Sequence, residues 1–406
     1  MKFEYRDYEL SNAIIDIAAG PFGSNLKVSC FTETGFPIID GANLKGITVT
    51  DNITKFVSED KARSLHRSIA KRRDIVVTIS GNVGQISYIP DNSQYAEYLC
   101  SQRQFRVTFD ESKIYVPYLV YYLHSVEGRS KILAFANQTG VPALSQPLKN
   151  FRKIKIDLPS LENQHKIADI LSTLDEKIAT NRAINENLYA QAKAIKRQWV
   201  AKNKDRYELL PLIEVAAINP DTYSPKEAWE YVNYLDTSSI TNGFIADIQH
   251  IVPSIEKLPS RARRKVAAGD VLFSTVRPNQ NHFGIISDPL SNMLASTGFA
   301  AIRSKNPLVC NELIYLCLTE LDFIEKMQQL AEQSTSTFPS IKPSDLGTCQ
   351  IPCPKDESSD VFTYTLKSLF ALIAANFREN SSLATMREAL LPKLMSGEID
   401  VSAVQF

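Results

Sequence analysis

Near the N-terminus the residues best suited to chemistry are GPFGSNLK, Gly20 to Lys27, with two glycines, a serine and a lysine in eight positions. A Walker-type phosphate loop needs G-x-x-x-x-G-K-[ST], because consecutive backbone N–H groups wrap the phosphates while the lysine and hydroxyl reach phosphate and metal. Here the glycines are three apart and the lysine follows the serine. The dinucleotide fingerprint G-x-G-x-x-G is missing too. The stretch reads as a turn leading into a strand.

Other reactive groups are equally unpromising. NPDTY, Asn219 to Tyr223, lacks the second proline and aromatic residue of an adenine-methylating NPPY site, and no F-x-G-x-G cofactor loop accompanies it. Neither Pro90-Asp91 nor Pro220-Asp221 is followed by the E-x-K of a nuclease, and H-E-x-x-H and G-x-S-x-G are absent. The five histidines (66, 124, 165, 250 and 282) are scattered. The six cysteines (30, 100, 310, 317, 349 and 353) include no C-x-x-C pair, so no metal site is expected and the thiols read as buried or incidental in a reducing cytosol. These absences favour a binding protein, with no cofactor of its own.

The 406 residues are enough for several domains, and 44% hydrophobic with 22% charged residues is ordinary for a globular chain. No apolar run approaches the ~18–20 residues of a membrane helix. The opening MKFEYRDYEL lacks the apolar core of a signal peptide, so the expected location is the cytoplasm. Net charge is zero, and only local clustering can speak for or against nucleic acid.

The elements that position these residues come twice. QTGVPALSQPLKNFRKIKIDLP, Gln138 to Pro159, corresponds to QSTSTFPSIKPSDLGTCQIPCP, Gln333 to Pro354, at an offset of 195. RRDIVVTIS, Arg72 to Ser80, corresponds to AGDVLFSTV, Ala268 to Val276. After each unit comes a helical segment with alternating steps of four and three. In the first, the repeat runs Ile167, Leu171, Leu174, Ile178, Asn181, Asn185, Leu188, Ala192, Ile195, Trp199. In the second it runs Phe362, Leu366, Leu369, Ile373, Asn376, Asn380, Leu383, Arg387, Leu390, Leu394, with Arg387 the one mismatch in polarity. Such alternation is a coiled-coil seam. The asparagines flank both midpoints; an antiparallel pair sets Asn181 against Asn380 and Asn185 against Asn376, and a parallel pair would also match them. A helix, a domain and a helix of similar length favour the antiparallel return.

The expected fold is mixed α/β: two repeated domains and a long antiparallel two-helix coiled coil between them, pseudo-twofold symmetric. The boundaries are 1–157 for the first domain, 158–203 for the first helix, 204–352 for the second domain, and 353–406 for the second helix and tail. Strands are predicted at DIVVTIS and QISYIP around the GNVG turn, at DVLFSTV and GIIS around RPNQNHF, and at QFRVTF and GFAAIRS. Short helices are predicted at VPYLVYYLHS and NELIYLCLTE.

A basic cluster precedes the DIVV and DVLF strands in matching places: Lys61, Arg63, Arg67, Lys71, Arg72 and Arg73, then Lys257, Arg261, Arg263, Arg264 and Lys265. Read as Arg-rich loops, they suit DNA, since guanidinium binds phosphate and pairs with guanine O6 and N7. Polar residues in the helix-to-strand loops, Gln138, Thr139, Ser334 and Thr335, are further DNA-contact candidates, as are Gln102 and Arg103.

Two α/β units, each followed by a long helix with LPSLENQHKIADILSTLDEKI or LLPKLMSGEIDVS, resemble the specificity subunits of type I restriction–modification systems across essentially the whole chain. GPFGSNLK with FPIIDGANLKG, Phe36 to Gly46, is similar to the opening of that family's target recognition domains; the second-half counterpart VAAINPDTY has no glycines, which argues against shared chemistry there. The resemblance implies that each domain reads one part of a split double-stranded DNA target and that the coiled coil sets the gap. It implies a non-catalytic chain that docks two modification subunits, where S-adenosylmethionine is used, with ATP-driven restriction subunits beyond. The rival reading is a coiled-coil assembly scaffold without sequence recognition; an enzyme without recognisable motifs is a third.

Overall fold

The computed structural model describes residues 5–137, 142–333, 339–402 and 404. The chain packs as two units, one of Met1–Lys177 with Ser382–Phe406 and one of Ile178–Ser381.

In the first unit a four-stranded antiparallel sheet runs in the order Ile14–Ala19, Gln104–Phe109, Ile75–Thr78, Ile86–Tyr88. Alternate side chains of a strand point to opposite faces, and here both faces are covered. Ile75 and Val77 join Phe105, Val107 and the helix Val116–His124 in one core, while Val76 joins Ile39, Ala70, Tyr98 and Cys100 in another. That explains the uninterrupted β-branched run at this point. The second core lies against a five-stranded sheet ordered Phe31–Thr32, Phe56–Val57, Phe36–Ile39, Glu97–Cys100, Ile69–Lys71, in which Phe36–Ile39 and Glu97–Cys100 are parallel. A ribbon of Arg6–Glu9 with Lys155–Leu158 completes the unit.

The second unit repeats this plan. Its central sheet is ordered Ala216–Ile218, Phe299–Ser304, Asp270–Ser274, Phe283–Ile286. Val271 and Phe273 face the core under the helix Asn311–Leu318, and Leu272 faces the other core with Leu235, Ala295 and Ala301. The covering sheet is Gln249–Ile251, Val232–Leu235, Met293–Ser296, Ala262–Lys265, again with its middle pair parallel. Tyr207–Pro211 pairs with Gln350–Pro354 as the matching ribbon. The predicted strands and short helices are all present, and the sequence repeat is a repeat of topology.

Two long helices, Leu161–Lys202 of 42 residues and Asp360–Met395 of 36, pair antiparallel. At ~1.5 Å per residue they run roughly 63 and 54 Å. Within the second unit the Asn181 amide donates to Asn380 Oδ1 at 3.0 Å, and the Asn376 amide donates to Asn185 Oδ1 at 2.7 Å. Asn181 also reaches a Glu379 carboxylate oxygen at 2.7 Å, and Asn185 the Ile373 carbonyl at 3.3 Å. Asn181, Asn185 and Asn380 are only 1%, 3% and 3% exposed, so these bonds replace water entirely. The same register, carried along the helices, stacks Trp199 on Phe362 with ring centroids 4.4 Å apart.

Within the first unit Ile167, Leu171 and Leu394 are buried in the seam with Leu390 packed beside them. Arg387, the polar mismatch, meets Asp175, whose carboxylate also accepts the Tyr121 hydroxyl at 2.6 Å. An ion pair thus fills the place where the seam has no leucine.

Changing Asn181 and Asn380 together to leucine removes a buried amide pair, including the Asn380 Nδ2, which has no partner. The double variant is expected to melt a few degrees higher by circular dichroism and to broaden spin-label distances across the helices. Asn181→Leu alone should melt lower, since an unpaired buried amide costs about 1–3 kcal/mol.

Candidate nucleic-acid interface

The central sheet of each unit has two ends, and the predicted DNA contacts divide between them. In the first unit the hairpin of Ile75–Thr78 and Ile86–Tyr88 turns through residues 79–85. Ile79 N–H donates to the Arg103 carbonyl at 2.7 Å, and Gly81 N–H donates to the Pro142 carbonyl at 3.2 Å. Ser80 bridges Ala143. The Gln102 amide donates to the Leu26 carbonyl at 2.7 Å, and Gly20 N–H to the Gln104 carbonyl at 2.8 Å. Four segments far apart in sequence therefore meet at one turn end: residues 20–26, 79–85, 101–104 and 142–144.

This geometry explains the first glycine of GPFGSNLK. A Cβ at Gly20 would overlap the carbonyl oxygen of Ser101. Glycine is needed for close backbone approach, and the stretch follows a strand and leads through a short 3-10 turn into Phe31–Thr32.

Arg67 and Arg103 belong to the turn end. Ser68 Oγ donates to the Ala19 carbonyl at 2.9 Å, beside Gly20, which places Arg67 there. Both arginines are exposed, and among the described residues neither guanidinium is in ion-pair contact with a carboxylate, although, after the bond from Arg106, Arg67 is near enough to help hold the Asp16 carboxyl below its usual range. Lys61, half-exposed on the helix Glu59–Ser64, is likewise unpaired.

The rest of the first cluster is at the opposite end of the sheet. Arg63 contacts Glu97 at 2.6 Å and Glu59 at 2.8 Å, and Lys71 contacts Glu97 at 3.5 Å. Burial pushes the Glu97 carboxyl up, but the two cations more than offset this and hold it below its usual range. Arg73 lies in a left-handed conformation with φ 73° and pairs with Glu111 at 2.6 Å. It also approaches Asp91 at 3.6 Å and lies over the rings of Tyr88 and Tyr115. Arg72 donates to the Ser93 carbonyl at 3.0 Å.

The second unit has the same two ends. Thr275 N–H donates to the Gly298 carbonyl at 2.8 Å, Arg277 N–H to Pro339 at 3.0 Å and Ile341 N–H to Thr275 at 2.9 Å. The Arg261 carbonyl accepts from Thr297 N–H at 2.8 Å, so Arg261 joins this turn end, exposed and without an acid partner among the described residues. Lys257 is exposed nearby in sequence and also unpaired. Arg263 donates to the Ser260 carbonyl at 3.2 Å. Lys265 pairs with Glu227 at 2.6 Å and lies over Trp229. Arg264 is half-buried with its Nε unpartnered, and burial lowers its pKa.

The clusters are therefore not simple Arg-rich loops. They run through a helix, Glu59–Ser64, and two strands, Ile69–Lys71 and Ala262–Lys265, because Ala62, Ile69, Ala70 and Ala262 between the cations are buried. Gln138, Thr139, Ser334 and Thr335 lie outside the described residues. Residues 142–144 and 339–341, just C-terminal to them, are held to the turn ends.

Among the described residues no group of three or more His, Cys, Asp or Glu could hold a metal, and no helix is long and apolar enough to cross a membrane. Cys100 is buried and its thiol is pushed up to about 12 by desolvation, so it is not a nucleophile.

The profile of the type I restriction modification DNA specificity domain matches residues 23–190. The MjaIX type I restriction enzyme specificity subunit of Methanocaldococcus jannaschii is 23% identical over 369 residues, covering 85% of this chain and 82% of that one. By these matches the chain is similar to the type I restriction–modification specificity subunits. Another relative in this family, the HindI specificity subunit of Haemophilus influenzae, is 24% identical over 163 residues, covering 40% of this chain and 35% of the relative. In fold, the chain is similar to the type I S subunit from M. genitalium, with TM-score 0.56 and 17% identity over 97% of this chain and 96% of that one.

Gly20→Ala should destabilise the protein by about 1–3 kcal/mol, the usual cost of forcing atoms into a packed site. Gly23→Ala should be nearly neutral, because its Cβ would meet only the flexible Gln102 side chain, at 3.3 Å. Thermal unfolding of the two variants side by side checks the contrast.

Proposed function

We propose that this chain is the non-catalytic DNA-reading subunit of a type I restriction–modification complex, with each unit recognising one part of a bipartite duplex target. The observation that carries the reading is the recurrence of one turn end in both units, where loops converge and Arg67, Arg103 and Arg261 are in no ion-pair contact with a carboxylate among the described residues. Cations already neutralised by carboxylates have little to offer a phosphate; unpaired ones release counterions when they bind it.

On this reading Lys61, Arg67, Gln102, Arg103, Lys257 and Arg261, with Gln138, Thr139, Ser334 and Thr335, form the primary contact set. Arg63, Lys71, Arg72, Arg73, Arg263, Arg264 and Lys265 contribute only by releasing their internal partners. The reading domains are 1–157 and 204–352, and the segments 158–203 and 353–406 supply the helical spacer. Two modification subunits dock on the chain and carry S-adenosylmethionine; base flipping and methylation belong to them, since that chemistry needs a pocket. Restriction subunits would bring ATP, and the assembly works in the cytoplasm.

Gel shifts with the reconstituted modification complex test this against a plain scaffold. A scaffold shows no preference among random duplexes, whereas a reader selects a split sequence. Arg67→Ala with Arg103→Ala should flatten the salt dependence, each lost phosphate contact lowering the slope by about 0.9. Lys71→Ala should change it much less, because Lys71 is already shared with Glu97.

A further inference from the structure

The two hairpin turns occupy the same place in the repeated frame and differ sharply in chemistry. In the first unit the turn contains GNVG, with Gly81 at φ 90° and Gly84 at φ 77°. Val83 packs on the core and Gly84 lies against Ile132 and Leu133, which leaves Gly81 and Asn82 as the exposed residues of GNVG. In the second unit the counterpart is RPNQNH, Arg277 to His282. Arg277 at φ 47° and Asn281 at φ 57° take the left-handed conformations that glycine adopts without cost. Arg277 also precedes a proline, which restricts it further.

The strained backbone is held from several sides. Pro278 is buried, Arg277 N–H donates to the Pro339 carbonyl at 3.0 Å, and Gln280 N–H donates to the Arg277 carbonyl at 2.9 Å. Asn279 N–H donates to Gln328 Oε1 at 3.3 Å. On this rigid turn Arg277, Asn279 and Gln280 are exposed, and the side-chain amides of Asn279 and Gln280 have no partner among the described residues. Arg261 is at the same end. Ordinary solvated turns also expose amides, but they favour glycine or asparagine at such dihedral angles, as at ten of the fourteen positive-φ positions among the described residues. A non-glycine residue kept in that region, with a guanidinium and two unused amides beside it, indicates side chains retained for an external partner.

We propose that Arg277, Asn279 and Gln280 read base edges in the major groove of the part of the target bound by the second unit. The guanidinium matches guanine O6 and N7, and the amides match adenine N6 and N7. The first unit, whose GNVG turn carries no guanidinium and a single amide, reads its part through other residues. This inference rests on the DNA-reading function proposed above.

The test is adenine-methylation mapping by long-read sequencing in cells carrying the full-length chain and its partner subunits. The unaltered chain should give a split motif. Arg277→Ala should lower discrimination at one position of one half-site by about 5–150-fold, the range for one bidentate base contact, and leave the other half-site intact. Arg277→Gly should relax the same position while raising the melting temperature, because it relieves the left-handed strain. Asn279→Ala with Gln280→Ala reports separately should an Arg277 variant not accumulate, as these side chains hold nothing in the fold. Both half-sites unchanged in Arg277→Gly and in the double variant would overturn the inference while leaving the function standing. A motif that does not depend on the chain at all would overturn both.

Discussion

Four asparagine side chains hold the register of the two long helices. Asn181 bonds Asn380 and Asn185 bonds Asn376 in a seam otherwise closed mainly by apolar groups. A shift of either helix would set amides against leucine or isoleucine, and the lost hydrogen bonds would have no water to replace them. Apolar contacts alone tolerate slippage, since one leucine layer resembles the next. The register in turn decides what each helix offers its neighbours: Trp199 meets Phe362, and Asp175 meets Arg387 and Tyr121.

The repeated frame shows how a backbone can persist while its side chains are exchanged. A buried aspartate stands at the start of the central strand in both units and accepts the backbone N–H three residues before it, Asp74 from Lys71 at 2.9 Å and Asp270 from Ala267 at 2.8 Å. Asp270 then takes a bidentate pair from Arg303. Asp74 instead accepts the Thr108 hydroxyl at 2.6 Å, while Arg106, on the same strand, turns to Asp16. The carboxylate has the same structural task with a different partner. The turns beyond the strands have diverged further, from GNVG to RPNQNH, while the strands that lead into and out of them keep their pairing.

Much of this was legible in the sequence. The 3–4 alternation and the asparagines located both helices and their contacts, and the β-branched runs located the central strands, because these signals are local. The covering sheets were not visible: strands such as Phe31–Thr32 and Phe56–Val57 are too short to show a period. The basic clusters were legible as charge and misleading as surface. Glu97, Glu111 and Glu227, which neutralise several of their cations, come from other parts of the chain, and strand direction sends Arg67 and Lys71 to opposite ends. The turn ends escaped notice because backbone bonds build them, Ile79 to Arg103 and Gly81 to Pro142, and backbone bonds leave little mark on residue type.

The two units also differ in how they are assembled from the polypeptide. The second is one continuous stretch, Ile178–Ser381, whereas the first draws on both ends of the chain. Leu394, Met395 and Val401 are part of the first unit's core, and the Tyr5 hydroxyl donates to the Met395 carbonyl at 3.0 Å. During translation the earlier-made unit must therefore wait with an open core, while the later one can close as soon as its last residue clears the ribosome. Residues 394–401 close that core, so its last layer is added only after the second unit has been made.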